Sequence, residues 1–580
     1  MTCASCRLWG LGCCIAALLG IGVPRASEAD LAGEARQAPM TSASRVTGFA
    51  PLAVHFGAVG AASGVVQPAA GDFDELSYLW DFGDPGSGVW AVDGGSRNAA
   101  TGFVAGHVFE LPGSYVVELT VIDAQAQTST YQQAIEVLDP DVDPGWTTYY
   151  VAANGSDSNP GTSSGAPFAT FAHAMTFAGP KTRILLRRGD TLPAETTWIN
   201  TNGPAIIGAY GTGDRPTLQF ASGDGIRFGW STDNQDWRII GVRIEGDGIS
   251  AALFAEGTDL SQLLVWDVEI ESWGAGVVLS ASCDAMDQNV VAASTILDIT
   301  DAWTIYMGGT RSFIQGNVLD KQTTANSHTY RNWCADGLSV THNTFGPAYH
   351  HSMKLHSPGW VAGEPSSQNV VITDNTFEGS TWTVAIGPQD SGSDERVRNV
   401  RYERNLHLRT SNTGLSVAIS AAEVTVRNNI FINNLAGSYE AVSVFQRGIE
   451  PPPQDNCIYN NTFFAEQGDI VSVSIASVAA DTAVRNNLLA PTTGGFVIDG
   501  SGIGLVASNN LATDAPCFLD PAARKLMLRP GSPAIDAGVD IGVLFDYAGA
   551  TRDSIPDVGA YELVALIFAD GFESGTTGAW

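Results

Sequence analysis

Five of the nine histidines in this 580-residue chain, His328, His342, His350, His351 and His356, fall in one short window that also carries Arg331 and Lys354. The net charge is −32, from 29 basic and 61 acidic residues, so this is the one dense cationic patch in an acidic protein. In Ser352-Met353-Lys354-Leu355-His356 the apolar residues alternate with the polar ones. Strand periodicity then turns Met353 and Leu355 inward and Ser352, Lys354 and His356 outward on one face. His328-Thr329-Tyr330-Arg331 and Trp303-Thr304-Ile305-Tyr306-Met307 carry similar residues earlier in the chain. If these segments lie side by side, Arg331, Lys354, His356, His328 and Tyr306 share a groove. An arginine fork can neutralise a carboxylate. A lysine or histidine whose pKa is lowered by cationic neighbours can take a proton, and a tyrosine can give one. Trp333, Tyr349, Trp360 and Trp382 are the aromatic residues available to stack on sugar rings. The competing reading is that the histidines fill and hydrogen-bond a side loop.

Sharing a groove requires an architecture that brings distant residues into register, and the second half of the chain supplies a signal for one. An Asn recurs before or inside short apolar stretches at Asn317, Asn343, Asn375, Asn405, Asn429, Asn461, Asn487 and Asn510, at intervals of 23 to 32 residues. A repeat of that period marks a solenoid. β-rich text such as Asn369-Val370-Val371-Ile372-Thr373 precedes the Asn, so each repeat reads as a strand-turn-strand coil. Coils stacked at ~4.8 Å let aligned Asn amides hydrogen-bond along the stack, and Asn tolerates the left-handed backbone of a sharp turn. The eight Asn are therefore expected to be a structural ladder. Gly241-Val242-Arg243-Ile244, Val265-Trp266-Asp267-Val268 and Ser294-Thr295-Ile296-Leu297 carry the same rhythm without Asn.

The solenoid opens at Thr147. Phe168, Phe171, Ala172 and Met175 follow at helical spacing, as expected of a short amphipathic helix that covers the open end of an apolar bore. It closes through Phe518-Leu519-Asp520-Pro521, Pro530-Gly531-Ser532-Pro533-Ala534-Ile535-Asp536-Ala537-Gly538 and Asp557-Val558-Gly559-Ala560-Tyr561-Glu562. Opening, ladder and closing resemble the pectate-lyase-like right-handed parallel β-helix superfamily over residues 147–563. The resemblance implies fold more than chemistry, because that fold hosts lyases, hydrolases, esterases and adhesins.

Residues 47–138 read differently. Leu79-Trp80-Asp81-Phe82-Gly83-Asp84, Gly106-His107-Val108-Phe109 and Pro112-Gly113-Ser114-Tyr115-Val116-Val117 are alternating strands with turn signals, which points to a small β-sandwich. These motifs resemble the PKD family, an immunoglobulin-like module, and imply an extracellular spacer or adhesion unit without catalysis. Residues 139–146, Asp- and Pro-rich, form the linker. Residues 30–46 are expected to be flexible, and residues 564–580 form a C-terminal tail. The predicted fold class is all-β, an Ig-like sandwich followed by a single-stranded solenoid.

Residues 1–29 resemble a secretory signal, with Arg7, an apolar run from Leu8 to Val23, and small residues near Ser27-Glu28-Ala29. No later stretch is long and apolar enough to span a membrane. Export to the periplasm, the cell surface or the medium is expected, for a monomer. The acidic balance argues against nucleic acid as a partner. Outside the leader the cysteines are Cys283, Cys334, Cys457 and Cys517. Their spacing fixes no pairing, and buried unpaired thiols inside the tube are the simplest expectation.

The functional expectation is an exported protein acting on an acidic polysaccharide, foremost a lyase working by β-elimination. Arg331 would neutralise the uronate, Lys354 or His356 would take the proton, and Tyr306 would protonate the leaving oxygen. A non-catalytic glycan-binding or adhesion protein is the alternative, and a glycoside hydrolase using Asp298 and Asp301 is the third reading. The chain has no Arg-x-Pro-x-x-Arg of pectate lyases and no Asn-Thr-Asp or Gly-His-Gly of polygalacturonases, which disfavours those activities. Metal binding by His350, His351 and His356 is a lesser reading, and calcium held by loop carboxylates is the one cofactor weighed.

Overall fold

A computed structural model describes residues 42–563, apart from residues 59–75, 124–125, 230–233, 258, 282, 321–327, 333, 357–366, 389–394, 411–413, 449–451, 492–497 and 501. The leader (1–29), most of the segment at 30–46, the tail (564–580), Trp333 and Trp360 lie outside the described residues.

Residues 42–138 form two antiparallel-rich sheets packed face to face. One holds Leu52–Gly57 between Ser42–Ala43 and Val104–Phe109. The other runs Thr47–Phe49, Thr128–Leu138, Gly113–Ile122, Ser77–Asp81 and Ala99–Thr101. Leu52, Val54, Phe56, Trp80, Phe82, Phe109 and Leu119 fill the space between them. The motif residues each have a structural task. Trp80 Nε1 donates to the Gly102 carbonyl at 2.8 Å, and Asp81 Oδ1 accepts the Gly83 amide at 2.8 Å. The His107 ring stacks on Phe82 with Nε2 3.1 Å from Asp84 Oδ2. The Tyr115 hydroxyl donates to the Leu111 carbonyl at 2.8 Å.

The solenoid is built of three parallel sheets, each coil adding one strand or a short strand pair per sheet. Sheet I starts at Thr147–Val151 and Thr182–Arg187 and ends at Val506–Ser508. Sheet II has thirteen strands, from Thr191–Ala194 to Leu511–Ala512. Sheet III has twelve, from Thr197–Ile199 to Ile498–Gly500. Inward-facing Ile, Val, Leu and Phe make one continuous bore. The helix Phe171–Met175 covers its opening, capped by Thr170 Oγ1, which accepts the His173 amide. Phe168, Phe171 and Ala174 are buried in the bore and Met175 packs against it, whereas Ala172 is exposed, so Ala174 takes the place expected for Ala172. Among the described residues no helix is long and apolar enough to cross a membrane.

The Asn ladder occupies the corner between sheets I and II. Asn317 Nδ2 donates to Asn343 Oδ1 at 2.9 Å, and the chain of amides continues through Asn375, Asn405, Asn429, Asn461 and Asn487 to Asn510 at 2.9–3.1 Å. Each receiving oxygen also takes the backbone N–H of the Asn one coil earlier, as Asn343 Oδ1 does from Asn317 at 3.0 Å. The left-handed residue is not the ladder Asn, as expected, but the one before it: Gly316, His342, Asp374, Arg404, Asn428, Asn460, Asn486 and Asn509 all have positive φ. That preceding residue makes the turn and swings the following amide inward. Gly241, Asp267 and Ala293 make the same turn in the earlier coils.

Two of the three sheets are covered from outside. The sandwich packs on sheet I, where Trp90, Ala53 and Val108 meet Leu264, Trp266, Val290, Ala292 and Phe313. Arg238, almost fully buried, donates to the carbonyls of Pro51 and Phe49. The closing segment, Phe518 to Ala560, folds back over sheet II at Ile430, Ile432, Phe464, Leu488 and Ala490. Its Ile541 and Val543 cover Cys457, Tyr459 and Ala483 of sheet I. These clusters take nothing from sheet III.

Candidate functional site

The cationic window lies on the outer surface of sheet III. Strand pairing aligns Tyr306 with Arg331, Arg331 with Lys354, and Lys354 with Ala385, so these side chains form one row across successive coils. A parallel row aligns Trp303 with His328 and His328 with His351. Met353 and Leu355 enter the bore as their alternation requires. Ser352 does not stand outside: its hydroxyl is buried 2.7 Å from Ser380 Oγ, because the strand edge is turned toward the corner with sheet II. His351 stands in the outer row instead.

Arg331 is partly exposed and lies over the rings of Trp303 and Tyr306, at 5.7 and 5.4 Å. Its Nε donates to His356 Nε2 at 2.8 Å. His356 is fully buried, and its Nδ1 lies 3.2 Å from Glu395 Oε2. An acceptor at Nε2 leaves the His356 proton on Nδ1, aimed at the carboxylate. Glu395, His356 and Arg331 thus form a relay that fixes the guanidinium. Burial lowers the His356 pKa, the Glu395 hydrogen bond raises it and Arg331 lowers it. Burial also lowers the pKa of Arg331. Lys354 is 3% exposed, with Nζ 3.3 Å from the Pro388 carbonyl.

The histidines gather beside this row. His328 and His351 stack with ring centres 4.8 Å apart and Nδ1 atoms 3.1 Å apart, so one ring donates and the other accepts. Burial, then Arg331 and Lys354, push the His328 pKa down to about 2. His351 lies well below the usual range for the same first cause, with His328, Lys354 and Arg447 adding to it. Both rings are neutral at pH 7. His350 is stacked 6.0 Å from His351, with exposed Tyr349 against it at 5.1 Å. Trp382 stands edge-on to His351 at 6.1 Å, and Arg447 lies 4.8 Å above the Trp382 ring.

Tyr306, Arg331, Lys354, His356, His328, Tyr349 and Trp382 therefore collect on one face. His342 is elsewhere, at the sheet I–II corner, with Nδ1 2.7 Å from Asp93 of the sandwich. Asp298 is exposed near the end of the sheet II strand Thr295–Ile299 and Asp301 is exposed just before Trp303–Met307; neither stands in the two rows. Among the described residues no three His, Cys, Asp or Glu side chains are grouped to hold a metal ion. His350 and His351 share one stack while His356 is engaged with Arg331 and Glu395, so that trio does not converge. The expectation of unpaired thiols fails for three of the four cysteines: Cys283 and Cys334 are bonded to each other and tie the corner after sheet III beside the site, and Cys457 is also disulfide-bonded. Cys517 is free and exposed. Sequence reasoning missed Glu395 and Arg447. Both lie in later coils, and no local pattern links them to His356 or Trp382.

Residues 63–137 match the family model described as PKD domain. With the strand pairing above, the molecule is a PKD domain joined to a parallel β-helix. No curated protein sequence matches the chain. Solved structures that resemble it include a family 28 exopolygalacturonase from Yersinia enterocolitica, at 9% identity over 82% of this chain and 96% of that one, with a TM-score of 0.33. A rhamnogalacturonan lyase matches at 13% identity over 64% and 90%, with a TM-score of 0.29. The lacto-N-biosidase of family GH136 from Eubacterium ramulus matches at 12% over 56% and 68%, with a TM-score of 0.35. These neighbours are β-helix proteins that act on carbohydrates. Identities and scores this low give no residue correspondence, so the chemistry has to come from the site itself.

Proposed function

We propose that the protein is a polysaccharide lyase that cleaves an acidic glycan by β-elimination on the outer face of sheet III. The observation that carries this reading is the in-register row Tyr306–Arg331–Lys354, on the sheet that neither the sandwich nor the closing segment covers. Arg331, held by His356 and Glu395, binds the uronate carboxylate and makes the neighbouring C–H acidic. Lys354 takes that proton. The C–O bond to the leaving sugar breaks, a C=C bond conjugated with the carboxylate forms, and the Tyr306 hydroxyl protonates the departing oxygen. His356 is a positioning residue here, since both its ring nitrogens are engaged. Neutral His328 and the aromatic rings of Tyr349 and Trp382 line the sugar path.

Burial of Lys354 and Tyr306 favours a second reading, binding without turnover. Incubation with alginate, pectate and glycosaminoglycans decides between them. The lyase reading expects ultraviolet absorbance from the new conjugated double bond, lost by 100-fold or more, about 3 kcal/mol, in Arg331→Ala with folding retained. Binding without new absorbance would support the second reading, and reducing ends without absorbance would point to a hydrolase.

A further inference from the structure

The outer row of sheet III continues beyond the cationic cluster toward the start of the solenoid. Strand pairing aligns Trp198 with Arg227, Arg227 with Phe254, Phe254 with Val278, and Val278 with Tyr306. Trp198 is 49% exposed, unlike the other outward aromatic residues of this row. The Arg227 guanidinium is sandwiched between the two rings, 4.8 Å from Trp198 and 4.3 Å from Phe254, and is anchored at its other edge by Asp224. The ground between the two ends is an apolar floor in which Phe254 packs with Ala251, Ala275, Val278, Trp303 and Tyr306. Arg331 lies over the last two rings of that floor. One strip therefore runs from an exposed indole to the guanidinium of the candidate active site.

We propose that Trp198, Arg227 and Phe254 form a second carbohydrate subsite, in which the indole stacks on a sugar ring of the same acidic chain that Arg331 engages. The inference rests on the proposed glycan-binding role of sheet III. It adds a substrate requirement, because the two ends are five coils apart, about 24 Å at ~4.8 Å per coil. Arg227, held flat between two rings and fixed by its ion pair with Asp224, stiffens the platform. An indole face offered to solvent with a rigid backing suits the C–H face of a pyranose, whereas an isolated surface Trp would have no such backing. Short oligosaccharides reach only one end, and a chain long enough to span the strip is bound at both, which raises its affinity without any change at Arg331.

The test is calorimetric binding of oligogalacturonates and oligomannuronates of defined length to the full chain. Affinity is expected to step up by about tenfold once an oligomer spans the strip. Trp198→Ala should remove that step and leave the affinity of short oligomers unchanged, with Phe254→Ala as the second variant and circular dichroism confirming the fold. Affinity that ignores length, a step that survives Trp198→Ala, or no binding by any long oligomer overturns the proposal. Binding is read without turnover. A length step without unsaturated product would therefore sink the lyase reading alone. Turnover with identical KM for long substrates in wild type and Trp198→Ala would sink the subsite alone.

Discussion

His407 replaces a phenylalanine in the aromatic file that fills one side of the bore, between Phe377 at 5.0 Å and Phe431 at 4.6 Å. Its Nε2 meets the Tyr402 hydroxyl at 2.6 Å, and burial pushes its pKa down to about 3. His55 is likewise pushed down to about 3 and His328 to about 2. In the unfolded chain these rings protonate near pH 6.5. Below that pH the unfolded state binds protons that the native state refuses. Stability therefore falls as pH falls, by about 1.4 kcal/mol per unit for each such histidine, until the native pKa is reached. His407→Phe should preserve the file and leave Tyr402 without its acceptor, costing about 1–3 kcal/mol at neutral pH. The same variant should lose about 2 kcal/mol less than wild type between pH 7 and pH 5. Urea titrations at the two pH values check this, and parallel losses would show that His407 does not carry the linkage. The residue scale is also where sequence reading was least complete. Lys354 and Arg331 were legible from strand alternation. The exchange of Ser352 for His351 was not, because it depends on how the strand edge turns. The Glu395–His356–Arg331 relay depends on a contact across coils that no local pattern records. Nor does spacing alone specify the Cys283–Cys334 bond.

At the scale of the element, the Asn ladder converts a repeated corner into a continuous hydrogen-bonded file. Asn405 Nδ2 donates to Asn429 Oδ1 at 3.1 Å and to the Ile372 carbonyl at 3.0 Å, while its own oxygen accepts both the amide and the side chain of Asn375 at 3.0 Å. Asn405→Ala leaves several of these buried groups unsatisfied, at about 1–3 kcal/mol each. Asn510 closes the file and is only part-buried, so Asn510→Ala should cost markedly less. Denaturant titration of the two variants orders them, and equal costs would mean the file is not cooperative. This element was legible in the sequence because its period and its residue type both recur. Its mechanism was only half legible. The side-chain bond runs through Asn, but the left-handed backbone belongs to whatever residue precedes it, Arg404 and His342 included. Asn tolerates that conformation, yet here Asn is needed for its amide.

At the scale of the whole molecule, the sandwich is fused to the solenoid rather than tethered by its linker. Gly106 shows how close the approach is: a Cβ there would stand 2.3 Å from the ring of Phe313, inside sheet I. Gly102 is held against Val371 in the same way, and Gln315 Nε2 donates to the Gly106 carbonyl at 3.0 Å. The motif carrying Gly106 marked a PKD sandwich in the sequence, but nothing in it showed that this edge is a packing surface. Covering sheet I hides Leu264, Trp266 and Phe313, and with the closing segment over sheet II it leaves sheet III as the face that neither covers, with Arg331 and Trp382 half-buried on it. A shared core of this kind makes the two modules one cooperative unit, and wild type should melt in a single calorimetric transition. Gly106→Val drives a branched side chain into a buried ring that has no room to retreat, a strain of about 1–3 kcal/mol. The modules should then melt separately, and the uncovered apolar strip of sheet I should bind a hydrophobic dye before the solenoid itself unfolds. If the variant keeps one transition without earlier dye binding, the sandwich rides on sheet I without holding it, and the exposure of sheet III alone would owe nothing to the module beside it.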